Sequence, residues 1–125
     1  MHMNDKNRKN KRAVGGEKEF LAAEYLKQQG YVILDMNYRC RQGEVDIVAR
    51  DGAYLVFVEV KYRKSAVCGA PAEAVDFRKQ QRICYAARHY LMTKRLSSDQ
   101  PVRFDVAAVM KDRIQIIQNA FYYME

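Results

Sequence analysis

The sequence predicts a mixed α/β domain, with helices packed on a central β-sheet and the element order α-β-β-β-α-β-β. Two stretches have apolar residues at helical spacing, and five shorter stretches are rich in β-branched and aromatic residues. Glycine, proline and serine stand between these stretches, where they are typical of turns and helix ends. With 125 residues, the chain is long enough to bury one compact core.

The first helix and the first three strands each have a local signal. EKEFLAAEYLKQQG (17–30) has a broad apolar face and ends at Gly30, a common C-terminal stop. YVILDMNYR (31–39) has the composition of a strand. The next two strands are joined at Asp51-Gly52, and Asp-Gly is among the strongest short-range hairpin signals.

A second helix and two strands complete the predicted domain. Pro71 suits the first turn of a helix, and AEAVDFRKQQRICYAARHYLMTKR after it has helical periodicity. The polar segment SSDQP (97–101) ends this helix. VRFDVAAVM (102–110) and IQIIQNAFY (114–122) then predict two strands, separated by a short polar turn.

The net charge of +7 is concentrated near the N-terminus. Five of the seven residues from Lys6 to Arg12 are basic, and without them 17 basic residues face 15 acidic ones. We therefore predict a flexible basic arm over 1–14 and a single domain over 15–125. Such an arm either attracts phosphate groups or serves as a solubilising tail.

Several function classes are disfavoured by composition. No apolar run approaches the roughly 20 residues that a membrane span needs, and no apolar segment follows the basic start as in a secretory signal. A cytoplasmic protein without a membrane partner is expected. Cys40, Cys68 and Cys84 are widely spaced, which disfavours a disulfide framework and a zinc site. His89 falls on the polar side of its helix.

Charged side chains lie inside the predicted hairpin strands rather than at their ends. If Asp51-Gly52 is a two-residue turn, paired positions sum to 103, so that Glu44 faces Glu59 and Asp46 faces Phe57. Because side chains alternate across a strand, the polar groups then share one face of the sheet. They are Glu44, Asp46, Glu59 and Lys61.

Carboxylates that face each other in a sheet are unfavourable, and burial increases the cost. Two arrangements would compensate for the repulsion. One is salt bridging by Lys61 and nearby arginines, and the other is a bound divalent cation, since Mg²⁺ is often held by a few carboxylates together with phosphate oxygens. The second arrangement suits metal-assisted phosphodiester hydrolysis, with the lysine stabilising charge in the transition state.

Asp46, a turn and then Glu59-Val60-Lys61 resemble the D…(D/E)-x-K signature of restriction-endonuclease-like nucleases. More narrowly, the chain is similar to the bacterial YraN-like family (UPF0102), which is thought to be related to archaeal Holliday-junction resolvases. Five segments carry the similarity, which extends from Gly15 to about Met110: GGEKEFLAAEYL, GYVILDMNYR, GEVDIVARD, LVFVEVKYR and RFDVAAV.

This resemblance implies a restriction-endonuclease-like fold and a Mg²⁺ (or Mn²⁺) cofactor. It implies that Asp46 and Glu59 are metal ligands and that Lys61 is the catalytic lysine. It also points to Glu17 on the first helix as a catalytic metal ligand, although an acidic residue in the first turn also favours the helix dipole. Val45 stands where many restriction enzymes have proline, which favours the resolvase-like branch. Glu44 either supports the site or faces solvent.

Basic residues near this predicted site are candidates for nucleic-acid binding. Lys79 projects from the apolar face of the second helix, so it either snorkels to solvent or reaches a phosphate. The other candidates are Arg41, Arg63 and Arg82, for which the alternative is a solvated surface charge. Asp105, on the opposite face of its strand from its apolar neighbours, is interpreted as part of a structural salt bridge.

The function expected from these features is a Mg²⁺-dependent DNA endonuclease, possibly acting on branched or repair-intermediate DNA. The alternative is a nucleic-acid-binding module of the same fold without turnover. A homodimer would suit junction cleavage, because two nicks need two sites, and the apolar segment Phe121-Tyr122-Tyr123 is a candidate contact.

Overall fold

The computed structural model describes residues 3–66 and 74–123, with side chains described from Gly16 onward. The predicted α/β class and the order of its elements are confirmed. Pro71 and Cys68 lie outside the described residues. The predicted start of the second helix needs correction, because residues 74–76 precede the helix and Asp76 is its N-cap. The elements are α1 (Met3–Gln28), β1 (Val32–Arg39), β2 (Glu44–Asp51), β3 (Tyr54–Tyr62), α2 (Phe77–Thr93), β4 (Val102–Val109) and β5 (Ile114–Phe121).

The five strands form one mixed sheet in the order β1-β2-β3-β4-β5. β3 and β4 are parallel, and the other neighbouring pairs are antiparallel. A parallel pair needs a crossover connection, which here includes α2. Because β2 and β3 are antiparallel, the start of β2 and the end of β3 lie at the same end of the sheet. The charged residues of both strands meet there.

The helices cover opposite faces of the sheet. On the α1 side, Ala22, Ala23 and Leu26 pack in one cluster with strand residues that include Ile47 and Val58. On the α2 side, the buried helix residues pack against a second cluster. The members of this second cluster include Val45, Val48, Phe57, Ile83, Ala86, Ala87, Tyr90 and Phe104. Across residues 3–66 and 74–123, neither helix has the length and apolar character of a membrane span.

The helix ends follow local rules. After α1, Gly30 adopts a φ of 96°, and the Tyr31 amide donates to the Leu26 carbonyl at 2.9 Å, which confirms the predicted stop at Gly30. At the start of α2, the Asp76 carboxylate accepts from the Lys79 amide at 2.8 Å as an N-cap. Because α1 begins at Met3, the helix extends into the segment predicted as an arm; the division at residue 14 stays a prediction.

The predicted hairpin register was wrong by two positions. Asp51 pairs with Tyr54, so the turn residues are Gly52 and Ala53, and Val48 rather than Asp46 pairs with Phe57. Gly52 has a φ of 59°, and glycine at the first central position is typical of a hairpin turn that matches strand twist. Because the shift is an even number, it leaves the predicted faces unchanged from Ile47 onward, where β2 alternates regularly.

A buried polar cluster lies on the α1 side of the sheet, around Asp105. The fully buried Asp105 carboxylate accepts from the Tyr31 hydroxyl at 2.8 Å, from the Asn119 amide at 2.9 Å and from Arg103 at 2.8 and 2.9 Å. Arg103 also donates to Asp51 at 2.8 Å. Burial, together with the negative charge of Asp105, raises the pKa of Tyr31 to about 12. The interpretation of Asp105 as a structural ion pair is confirmed.

Candidate active site

The pairing between β2 and β3 stops where the charged residues begin. The last pair of this ladder is Ile47 with Val58, whereas β3 continues to pair with β4 as far as Tyr62. In the gap, the Asp46 carboxylate accepts a hydrogen bond from the Val60 amide at 2.8 Å. Asp46 thus satisfies a backbone donor of β3 and is held beside Glu59.

The backbone is irregular at the position of Asp46. Strict alternation would place Val45 on the same face as Ile47, but Val45 belongs to the α2-side cluster and Ile47 to the α1-side cluster. In β1, Asn37 lies between the residues paired with these two and has a φ of 53°, a conformation that asparagine tolerates better than most residues. This irregularity lets the Asp46 carboxylate interact with groups from both layers.

Glu59 is the most perturbed carboxyl group of the site. Its residue is 4% exposed, and among the described residues its Oε2 has no hydrogen-bond partner. Loss of hydration, followed by the hydrogen bond and the negative charge of Asp46, raises the pKa of Glu59 to about 9. In the free protein at neutral pH, the Glu59–Asp46 pair therefore retains a proton.

Two lysines act on Glu59 in the opposite direction. The positive charges of Lys79 and Lys61 lower its pKa, but less than desolvation raises it. The Lys79 Nζ is 3.6 Å from Glu59 Oε2 and 3.6 Å from Glu44 Oε1, which is too long for a hydrogen bond to either carboxylate. The structure thus brings Lys61 and Lys79 to the carboxylate pair, and it places Lys79 between two acidic residues.

Glu44 faces a set of basic groups at the rim of this site. Arg82 Nη2 lies 3.5 Å from its Oε1, and Arg39 Nε lies 3.9 Å from its Oε2. With Lys79, three cations from β1 and α2 surround this half-buried carboxylate. Of the two alternatives for Glu44, the structure favours a supporting role, because the carboxylate holds Lys79 beside Glu59.

On the first helix, Glu19 lies nearer to this site than Glu17. Burial raises the pKa of Glu19, its side chain hydrogen-bonds Asn37, and the charge of Asp46 raises the pKa further. Glu17 is exposed and lines a shallow surface cavity with Phe20 and Leu21. The described contacts do not bring Glu17 to the carboxylate pair, and its role as a metal ligand stays a prediction.

The reason for this difference is the direction in which α1 faces the sheet. The broad apolar face predicted for EKEFLAAEYLKQQG (17–30) includes Leu21, whereas the structure leaves Leu21 52% exposed. The buried residues Ala22, Ala23 and Leu26 share their helix face with Glu19, at spacings of three, four and seven. Counting back from the small alanines would have identified Glu19 from the sequence.

Asp46 and Glu59 are the candidate ligands of a divalent cation. Within 16–66 and 74–123, no three His, Cys, Asp or Glu side chains are already grouped as a metal site. Asp46 and Glu59 nevertheless provide the oxygen donors that Mg²⁺ prefers, and two carboxylates are sufficient when phosphate oxygens complete the coordination. A bound cation would give the unpartnered Glu59 Oε2 a positively charged partner. It would also displace the proton that the pair retains. The residues therefore fit the cation.

Glu59 is expected to make the stability of the metal-free protein depend on pH. Its pKa is about 9 in the folded chain against 4.5 as the ordinary value, so between these limits the folded state binds a proton that the unfolded state has lost. The free energy of unfolding should therefore fall as the pH rises, by at most about 1.4 kcal/mol per pH unit. Urea denaturation from about pH 6 to 9 measures this slope.

Glu59→Gln should remove this part of the slope, because glutamine mimics the protonated carboxyl group. Glu24→Gln, at an exposed glutamate of α1, should retain it. A wild-type slope that is identical to that of Glu59→Gln would contradict the raised pKa.

The residues predicted to bind nucleic acid differ in what they contact. Arg82 remains half exposed beside Glu44, and Arg41 is exposed in the loop after β1. Arg63 donates to the Ala74 carbonyl at 3.0 Å, so it ties the end of β3 to the segment before α2. This contact uses one of the hydrogen-bond donors of Arg63. Phosphate binding by Lys79, Arg41, Arg63 and Arg82 stays a prediction.

Comparison with known proteins supplies a second, independent observation. The family model described as "Uncharacterised protein family UPF0102" matches residues 18–109. A UPF0102 protein of Lachnoclostridium phytofermentans is 54% identical over 112 residues, which cover 90% of this chain and 95% of the relative. A UPF0102 protein of Clostridium botulinum (strain Loch Maree) is 41% identical over 114 residues, covering 86% and 93%. The matched range contains Glu19, Asp46, Glu59 and Lys61.

Proposed function

This chain belongs to the UPF0102 family, and we propose that it is a Mg²⁺- or Mn²⁺-dependent endonuclease that hydrolyses phosphodiester bonds in DNA. The observation that carries the proposal is the buried Glu59 beside the half-buried Asp46, with lysines next to them. Two neighbouring carboxyl groups withdrawn from water inside a sheet cost stability rather than add to it, so a function of the pair is the better explanation. Catalytic sites are where such perturbed groups cluster.

Each residue of the site has a distinct part in this proposal. A divalent cation bound by Asp46 and Glu59 would supply Lewis-acid activation of the scissile phosphate. Asp46 is oriented by the Val60 amide, so its carboxylate is already fixed in direction. Lys61 interacts electrostatically with Glu59, and from there it would stabilise the negative charge that develops on the phosphate.

Lys79 would serve substrate binding. Its ammonium group lies between Glu44 and Glu59, which hold it at the mouth of the site. Once a cation neutralises Glu59, Lys79 would be released toward a phosphate of the substrate. Arg82 and Arg39, held by Glu44, extend the same positive surface.

A cleavage screen tests the proposal directly. End-labelled branched, single-stranded and duplex DNA should be incubated with the purified protein in Mg²⁺, in Mn²⁺ and in EDTA. We expect products with either metal and none in EDTA. A lack of cleavage of every substrate, combined with calorimetry that shows no Mg²⁺ or Mn²⁺ binding, would leave the non-catalytic nucleic-acid-binding module as the explanation.

Glu17 and Glu19 of α1 give a second test. Glu19→Gln should lower the cleavage rate by about 10- to 100-fold, the usual effect of removing a group that orients a metal ligand. The loss should exceed that of Glu17→Gln, because Glu19 rather than Glu17 interacts with Asp46. Single-turnover rates at saturating Mg²⁺ provide the measurement, and a larger loss for Glu17→Gln would restore Glu17 as the helix ligand.

We propose homodimer formation on the chemistry of junction cleavage alone. The contact expected at Phe121-Tyr122-Tyr123 needs correction, because Phe121 is buried and its ring stacks on that of Phe104 at 4.9 Å. Tyr122 is 80% exposed and remains available. Sedimentation of the free protein measures the oligomeric state.

A further inference from the structure

A second surface feature adjoins the candidate active site along α2. The loop after β1 packs directly on this helix, and a Cβ atom at Gly43 would collide with the backbone carbonyl of Arg82. Between the loop and the next turns of α2 lies a cavity of about 270 Å³. The described residues that line it are Cys40, Arg41, Gln42, Tyr85, Arg88, His89 and Met92. We call this feature the α2 cavity.

The α2 cavity continues the cationic rim of the active site. Lys79, Arg82 and Tyr85 follow one another at spacings of three, so each step turns by about 60° around the helix and the row leads from Lys79 beside the sheet to the exposed Tyr85. Lys79 and Tyr85 are six residues apart, about 9 Å along the helix axis. This length corresponds to about two to three nucleotides of a strand. A strand with one phosphate at Glu59 and Lys79 would therefore pass the cavity.

The chemistry of the lining suits a nucleobase better than it suits a phosphate alone. Tyr85 is 38% exposed and offers an aromatic ring, while Arg41 and Arg88 add positive charge. Among the described lining residues none is acidic. Bases that are not paired stack on aromatic rings and on guanidinium planes, and this binding tolerates any sequence because every base has a π-face.

The side chains of the cavity are already held in place. The Arg88 guanidinium lies 5.7 Å from the Tyr85 ring centre and 5.9 Å from that of Tyr123, and its Nε donates to the Tyr123 hydroxyl at 3.2 Å. His89 Nδ1 is 2.6 Å from the Tyr38 hydroxyl. Because these contacts already hold the Arg88 and His89 side chains, the cavity loses less conformational entropy when a ligand binds, as is typical of a binding site.

We propose that the α2 cavity binds an unpaired nucleobase of the nucleic-acid substrate, with Tyr85 as the stacking platform. The inference rests on the proposed nuclease function and makes the substrate more specific. A strand that passes from the carboxylate pair over α2 has to present an unstacked base, which a fully paired duplex does not do. The protein should therefore prefer DNA with a single-stranded segment, such as a flap, a gap or a branch point, over continuous duplex.

Binding measurements without metal test this inference apart from cleavage. Fluorescence anisotropy in EDTA should compare a labelled single-stranded oligonucleotide, an abasic oligonucleotide of equal length, and the duplex of the same sequence. Tyr85→Ala should weaken binding of the single strand by about tenfold, since stacking on an aromatic side chain contributes about 1–3 kcal/mol per base. Tyr85→Phe, which retains the ring, should bind like the wild type.

Two controls separate stacking from a general loss of affinity. Tyr54→Ala removes another exposed tyrosine, located at the β2–β3 turn away from the cavity, and should leave affinity unchanged. For the abasic oligonucleotide, Tyr85→Ala and the wild type should bind equally. Single-strand affinity of Tyr85→Ala within twofold of the wild type, or an equal loss with the abasic oligonucleotide, would overturn the proposal.

The outcomes also distinguish this inference from the proposed function. Metal-dependent cleavage combined with wild-type binding by Tyr85→Ala would refute the base site and leave the nuclease proposal intact. Tyr85-dependent binding of single strands without cleavage in any metal would refute the nuclease proposal and keep the base site.

Discussion

Replacing Asp46 by asparagine is expected to lower the rate of metal-dependent DNA cleavage by at least about 10³-fold. The charge of a divalent cation at a scissile phosphate is worth several kcal/mol of transition-state stabilisation, and each 1.36 kcal/mol is a factor of about ten in rate. Asparagine is neutral and binds such a cation poorly. Its side-chain oxygen can still accept from the Val60 amide, which Asp46 now binds at 2.8 Å, so the strands should keep their arrangement.

The measurement is the single-turnover cleavage rate of the preferred substrate in Mg²⁺, with circular dichroism to confirm the fold. Asp99→Asn is the matched control, because Asp99 is exposed in the loop before β4, at the far end of the sheet. DNA affinity in EDTA should not fall for Asp46→Asn. Undiminished cleavage by this variant, purified free of contaminating nuclease, would remove Asp46 from the catalytic site and with it the proposed mechanism.

Replacing Asp105 by alanine is expected to lower the free energy of unfolding by about 3–5 kcal/mol, the usual cost of breaking a buried ion pair. The variant would leave Arg103, which is 12% exposed at its side chain, with Asp51 as its remaining carboxylate partner. It would also leave the backbone N–H of Asn119 without its acceptor. Such a loss is a large part of the stability of a small domain.

Urea denaturation at neutral pH measures this effect. Asp99→Ala, at an exposed aspartate, should change stability by less than about 0.5 kcal/mol. Asp105→Asn, which keeps acceptor capacity at one atom, should lie between the two. A loss below about 1 kcal/mol for Asp105→Ala would show that the ion pair contributes little beyond the apolar packing around it.

The strand register shows where sequence patterns stop being sufficient. Two-residue periodicity predicted that Glu44, Asp46 and Glu59 would share a face, and a shift of two positions alone would keep that result. Glu44 and Glu59 do share Lys79 as a neighbour, but the irregular backbone at Asp46 also brings its carboxylate near Glu19 of α1. Which residues form the turn depends on backbone twist across both strands, so the pairing could not be read from Asp51-Gly52 alone. The break in alternation at Val45 likewise arises from contact with α2 rather than from local preference.

The fold class and the order of the elements could be predicted from periodicity and turn chemistry, which are properties of neighbouring residues. Strand alternation and the resemblance to a nuclease signature identified Asp46, Glu59 and Lys61 as candidate site residues. The tertiary structure decided that Glu19 rather than Glu17 approaches Asp46, that Lys79 lies between Glu44 and Glu59, and that the pKa of Glu59 is raised. The physical reason is that these features depend on how helices pack on the sheet, which exposes or buries each charge through contacts between residues far apart in the chain.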